Sequence, residues 1–201
     1  MTKKWFGPSR KEIWQSLSQE IGGQYHPGTI WTGDKVQATH GEWTVTLDTY
    51  TVSTGKVTMS YTRMRAPYVN PEGFRFAVSR RHLFSNISRW MGMQDVEVGH
   101  GAFDHDFIIK GTHEGRLRTL FANANIRELL SQQPDVHFTV KDNEGWFGPE
   151  FPEHVDELDF TVGGIIKDSE RLKALYELFA ETLDELTRMG SAYERDPEVE
   201  L

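Results

Sequence analysis

Short runs in which apolar and polar residues alternate one by one recur along this chain and restrict its fold more than any other feature. Trp43, Val45 and Leu47 alternate with Thr44, Thr46 and Asp48. After a turn at Ser53-Thr54-Gly55-Lys56, Val57, Met59 and Tyr61 alternate again. Side chains of a strand point to opposite faces in turn, so this period marks strands with one buried and one wetter face. Such strands belong to antiparallel sheets, and the turn makes the first two a long hairpin. With Phe74, Phe76 and Val78, the stretch from Val36 to Val78 reads as an antiparallel meander of about four strands. Further alternation predicts strands at Val96 and Val98, at Phe103, Phe107 and Ile109, at Val136 to Val140, and at Leu158 to Val162.

Helices fall between and after these strands. Ser9-Arg10-Lys11-Glu12 is a capping box before Ile13, Trp14, Leu17 and Ile21, and Gly22-Gly23 stops the helix. Leu83, Phe84, Ile87, Trp90 and Met91 form a second stripe closed by Gly92. Thr112 is the expected cap for a helix with Leu117, Leu120 and Phe121, and Asn125 for one with Leu129 and Leu130 that Pro134 ends. Asp168 caps the longest helix, whose stripe is Leu172, Leu175, Tyr176, Phe179, Leu183 and Leu186. The expected class is α+β: a mostly antiparallel sheet of about six to eight strands, with helices on one face and a long C-terminal helix. Residues 1–190 read as one domain, a subdomain division near 92–101 being the alternative, and residues 191–201 as an acidic flexible tail.

Composition narrows the function classes. The 201 residues contain no cysteine, which excludes a disulfide framework, a cysteine nucleophile and a Cys-ligated metal. A net charge of −8 argues against a nucleic-acid-coated surface. Lys3 and Lys4 are not followed by an apolar run of signal-peptide length, and no stretch approaches the ~20 apolar residues of a membrane span. The expectations are a cytoplasmic location, no membrane and no nucleic-acid partner.

Several strings stand out together: Glu42-Trp43-Thr44-Val45-Thr46-Leu47-Asp48, Thr62-Arg63-Met64-Arg65-Ala66-Pro67, Gly73-Phe74-Arg75-Phe76, and Phe103-Asp104 with Phe107-Ile108-Ile109-Lys110-Gly111. In these the chain resembles, over most of its length, a family of uncharacterised bacterial proteins, a domain of unknown function. The resemblance implies no activity, cofactor or functional residue.

Charge is unevenly distributed. From Lys56 to Trp90 seven basic residues face one acid, Glu72, whereas from Asp142 to Leu201 seventeen acids face five bases. Arg63 and Arg65 share a strand face, and with Arg75 they form a candidate anion-binding site, since guanidinium forks suit phosphate or carboxylate. The competing reading pairs these arginines with the acids of the final third or of a partner chain. Trp146, Phe147 and Phe151 sit in a Gly/Pro-rich stretch and are a candidate interaction loop, or alternatively a buried anchor. His100, Asp104, His105 and Asp106 could contribute metal ligands, but a strand turns His105 away from the aspartates, so no metal site is expected.

No GxSxG elbow, Walker A loop or GxGxxG fingerprint occurs. The leading expectation is therefore a non-catalytic binding or interaction domain without a cofactor, able to form a homo-oligomer. The alternatives are a binder of a small anionic or hydrophobic ligand in a cavity between sheet and helix, and a hydrolase of unrecognised type.

Overall fold

The computed structural model describes residues 7–29, 33–82, 93–142, 151–199 and 201. In chain order the elements are α1 (Arg10–Glu20), β1 (Gln24–His26), β2 (Lys35–His40), β3 (Trp43–Ser53), β4 (Thr58–Val69), β5 (Phe76–Arg80), β6 (Gln94–Asp95), α2 (Gly101–Asp106), β7 (Phe107–Gly111), α3 (Glu114–Leu120), α4 (Ala124–Ser131), β8 (His137–Lys141), β9 (Val155–Gly163) and α5 (Ser169–Arg188). The nine strands among the described residues join one antiparallel sheet in the order β1-β2-β3-β4-β9-β8-β5-β7-β6. The α+β class, the helices on one face and the long last helix follow the alternation read above. The strand count exceeds the expected six to eight because the three-residue β1 is too short to show a period, and the strand expected at Val96 and Val98 falls instead on Gln94–Asp95.

The meander expected from Val36 to Val78 is interrupted. β2, β3 and β4 pair in succession, but β9 and β8 lie between β4 and β5. Alternation fixes which side chains point inward; it carries no information on which strand lies alongside. The registers align Leu47, Met64, Phe160, Phe138, Val78 and Ile109 across the sheet on the helix-facing side. Leu172, Leu175, Leu178, Phe179, Leu183 and Leu186 of α5 are fully buried. The Phe179 ring packs on Phe138 at 5.5 Å between centroids, Phe138 on Phe76 at 5.6 Å, and Phe76 on Phe121 at 6.1 Å. Among the described residues these rings form a packed chain between α5 and the sheet.

Local caps mostly follow the sequence, with shifts. The Ser9–Glu12 capping box forms, and Asp168 accepts from the Arg171 backbone N–H. Asn123, not Asn125, caps α4, its side chain accepting from the N–H groups of Asn125 and Ile126. Thr112 does not cap α3; its hydroxyl instead accepts from the backbone N–H of Arg75. Phe103, expected on a strand, lies in α2, because Phe103 and Phe107 are four residues apart and satisfy a helical period equally well. The helix expected at Leu83 to Met91 lies outside the described residues, as do Trp146 and Phe147. After α5, Ser191, Ala192 and Pro197 are buried, the Tyr193 N–H donates to Val69 O, and Lys35 Nζ donates to Leu201 O.

Candidate functional site

Three places on this frame gather polar or exposed apolar side chains. The first is the sheet face turned away from the helices. There Asp48 of β3 lies opposite Arg63 of β4, and Arg65 lies opposite Asp159 of β9. Arg63 grips Asp48 with two parallel bonds of 2.9 and 2.8 Å, and Arg65 Nη2 adds a third at 2.6 Å. Arg65 also lies 3.9 Å from Glu157, and Lys141 lies 2.7 Å from Asp159. Arg65, Glu157 and Asp159 are buried. Desolvated charges persist in a fold when opposite charges sit within hydrogen-bonding distance, and here three acids meet three bases. Arg63 and Arg65 do come together as their spacing predicted, but around a carboxylate of the same chain.

Arg75 lies elsewhere, at the end of the sheet. Here Asn70, Pro71, Glu72, Gly73, Arg75, Asp142, Pro152, His154, Val155 and Asp156 line a crevice of about 330 Å3. Its geometry starts with Asn70, whose buried amide mimics a strand partner: Nδ2 donates to Phe74 O and Oδ1 accepts from Phe74 N–H. The same Nδ2 donates to Asp156 at 2.6 Å. Arg75 lays its Nε and Nη2 edge along Asp156 at 3.3 and 3.2 Å and reaches Asp142 with Nη1 at 2.9 Å. Asp156 stands opposite Tyr68 on the helix-facing side of the sheet. Burial pushes its carboxyl above the ordinary aspartate value, against the pull of Arg75 and Asn70, and Asp142 adds to the rise. Burial also raises the Tyr68 phenol, with Asp156 adding to the effect.

The third place is the far end of the β3–β4 hairpin. β2 ends its pairing where Lys35 meets Asp48, and β9 where Val162 meets Thr62, with Gly164 bridging Tyr61. Beyond those points β3 and β4 continue, paired with each other as far as Ser53 and Thr58, and form an arm. Tyr50 and Tyr61 stack at its base, 5.1 Å between centroids, with the Arg63 guanidinium over Tyr50. Outward from them on the same face stand Val52 and Met59, then Val57 at the turn. Those three are 43%, 50% and 56% exposed, and they are three of the five exposed large apolar residues among the described ones. Residues 49–62 carry a single charge, Lys56.

The remaining candidates resolve more simply. Asp104 is occupied by its own loop, accepting from the backbone N–H groups of Val98, Gly99 and His100. His105 is exposed and pairs with Asp106. Among the described residues no group of three or more His, Asp or Glu is arranged to hold a metal ion. Phe151 is half-buried. Among the described residues no helix is long and apolar enough to cross a membrane. The arm and the crevice escaped sequence reasoning as sites. The signals available were the uncharged run 49–55 and an acid, Asp156, in the inward parity of Leu158, Phe160 and Val162. No family model, curated protein or solved structure matches the chain.

Proposed function

We propose that this chain is a non-catalytic, cytoplasmic interaction domain that self-associates through the β3–β4 arm, and that it belongs to the uncharacterised bacterial family its strings resemble. The observation that carries the reading is the clustering of Val52, Val57 and Met59 on one face of an arm with one charged side chain. Contiguous exposed apolar surface marks an interaction site in soluble domains. Fully burying a Val or Met is worth about 1.5–3 kcal/mol, so half-exposed residues from two copies supply a useful driving force. The rest of the molecule disfavours its own copy, since each carries −8, whereas the nearly neutral arm lets two copies approach. A two-fold pairing would bring the same patch to itself.

Sedimentation velocity on the full chain tests this. The wild type is expected to show concentration-dependent dimerisation, abolished by Val57→Lys or Met59→Lys without loss of melting temperature. A wild type that stays monomeric up to about 0.1 mM, where a pairing of about −5.5 kcal/mol is half-formed, would refute the proposal.

A further inference from the structure

The segment after α5 crosses the end of the sheet, from the helix side to the opposite face, and is held unevenly along its length. Its start is fixed. Ser191 and Ala192 are buried, Arg116 Nη1 donates to Ser191 Oγ, and the Tyr193 N–H donates to Val69 O. Tyr193 to Asp196 are exposed. The chain then runs over a cleft of about 530 Å3 in the outward face of the sheet. Lys35 and Gln37 of β2, Thr44 and Thr46 of β3 and Pro67 of β4 line it, together with Val199 and Leu201 of the segment itself. Pro197 is buried, Glu198 is exposed, and Val199 and Leu201 are half-buried. That two-residue period is how an extended peptide lies on a sheet, with alternate side chains down. Among the described residues, Glu194 to Leu201 make a single hydrogen bond to the rest of the fold, from Lys35 Nζ to Leu201 O at 3.0 Å. Their other bonds are local, from the Glu198 N–H to Asp196 Oδ1 and from the Arg195 N–H to Tyr193 O.

We propose that this cleft is a peptide-recognition groove already occupied in cis. Its partner is an extended peptide with aliphatic residues at alternate positions and acids between them, the pattern of Glu198-Val199-Glu200-Leu201. The resident segment shows the chemistry of the seat. Threonine, glutamine and Pro67 give an uncharged floor on which aliphatic side chains can lie, and Lys35 is the one charged side chain lining the cleft, a donor for the peptide backbone and a counterpart for its acids. One hydrogen bond and two half-buried aliphatic side chains make a light hold, and the cleft keeps open volume beneath them. The tether to α5 compensates, because it keeps the segment at a high effective concentration over its seat. The segment therefore acts as a built-in competitor, which a partner peptide must displace. This reading does not depend on the arm, which lies beyond Asp48 on β3 and carries its own apolar patch.

Two-dimensional amide NMR of the full chain tests this, with a synthetic peptide of residues 193–201 as the probe. The receptor is the Val199→Ser/Leu201→Ser double variant, whose own segment lacks both aliphatic side chains. Both positions are half-buried and outside the core, so the fold is kept. In the variant, the amides of residues 198–201 are expected at random-coil positions. The peptide should then shift the amides of Gln37, Thr44 and Thr46 saturably. It should bind the variant roughly tenfold or more tightly than the wild type, whose groove is occupied. A peptide carrying the same two serines should leave those amides unmoved. A segment that stays seated without its aliphatic side chains, or equal affinity for variant and wild type, would overturn the proposal. So would equal shifts with the serine peptide, or no saturable shift of the variant below about 1 mM peptide.

Discussion

Arg65 Nη2 lies 2.6 Å from Asp48 Oδ2 on a sheet face where the arginine side chain is only 4% exposed. Asp48 binds Arg63 at the same time, so one carboxylate joins two guanidinium groups of the neighbouring strand. Repulsion between two arginines on one strand face is thereby converted into a cross-strand clamp between β3 and β4.

Removing the buried partner of such a pair leaves a desolvated charge behind. Arg65→Ala is therefore expected to destabilise the fold by about 3–5 kcal/mol, since it takes a guanidinium away from the buried Glu157 and one of three arginine bonds from Asp48. Arg63→Ala should cost less, about 1 kcal/mol, because water reaches the more exposed Arg63 position and solvates Asp48. Urea denaturation of both variants measures the difference. Equal and small effects would mean that Arg65 is not the member that holds the charge layer together.

The core prediction concerns α5. Leu175→Ala and Phe179→Ala each remove a fully buried side chain from between helix and sheet. Each is expected to cost about 2–5 kcal/mol through lost burial and the cavity left behind. Unchanged denaturation midpoints would show that α5 does not seat on the sheet through this stripe.

Two aspartates give opposite pH signatures. Burial opposes ionisation of Asp34, but the Gly28 N–H and Arg10, each at 2.8 Å, hold its carboxyl below the ordinary value. Its contribution to stability is present above the ordinary aspartate value and is lost as pH falls through the lowered one. Asp156 is raised, so its contribution is complete below the ordinary value and is lost as pH rises through the raised one. Asp34→Asn should therefore flatten the acid limb of a melting temperature–pH profile. Asp156→Asn should flatten the decline just above the ordinary aspartate range. Arg75, Asn70 and Asp142 face Asp156 in both proteins, so the difference profile isolates it. A difference of the opposite sign for either variant would contradict the assignment.

What the sequence made legible follows from range. Alternation in Trp43–Leu47 and Leu158–Val162 reports which side chains face inward, a local property, and those apolar residues are buried; it does not report that the outward-facing Thr46 and Asp159 are buried as well. The neighbour of β4 is a distant matter: its partner, β9, lies more than eighty residues away in the chain, so the expected continuation into β5 had no local cue against it. Arg63 and Arg65 were placed correctly on one face, since two-residue spacing is enough for that. Arg75 could not be located relative to them, because a turn built by Asn70 and Gly73 redirects the chain first. The crevice was hidden for the same reason. Its members arrive from the β4–β5 turn, the end of β8 and the start of β9, and they meet only in space.

The position of β9 also bears on how the chain is made. Synthesis delivers β1 to β4 early and β5 to β8 later, yet the strand that sits between β4 and β8 comes last of all. Until residues 155–163 leave the ribosome, β4 presents an open edge of backbone donors and acceptors, the kind of edge that recruits unrelated strands. The nascent sheet is thus open at β4 while residues 70–154 are made and closes only when β9 arrives. A ribosome stalled between β8 and β9 would release two partial sheets with unpaired edges, and such fragments aggregate rather than wait.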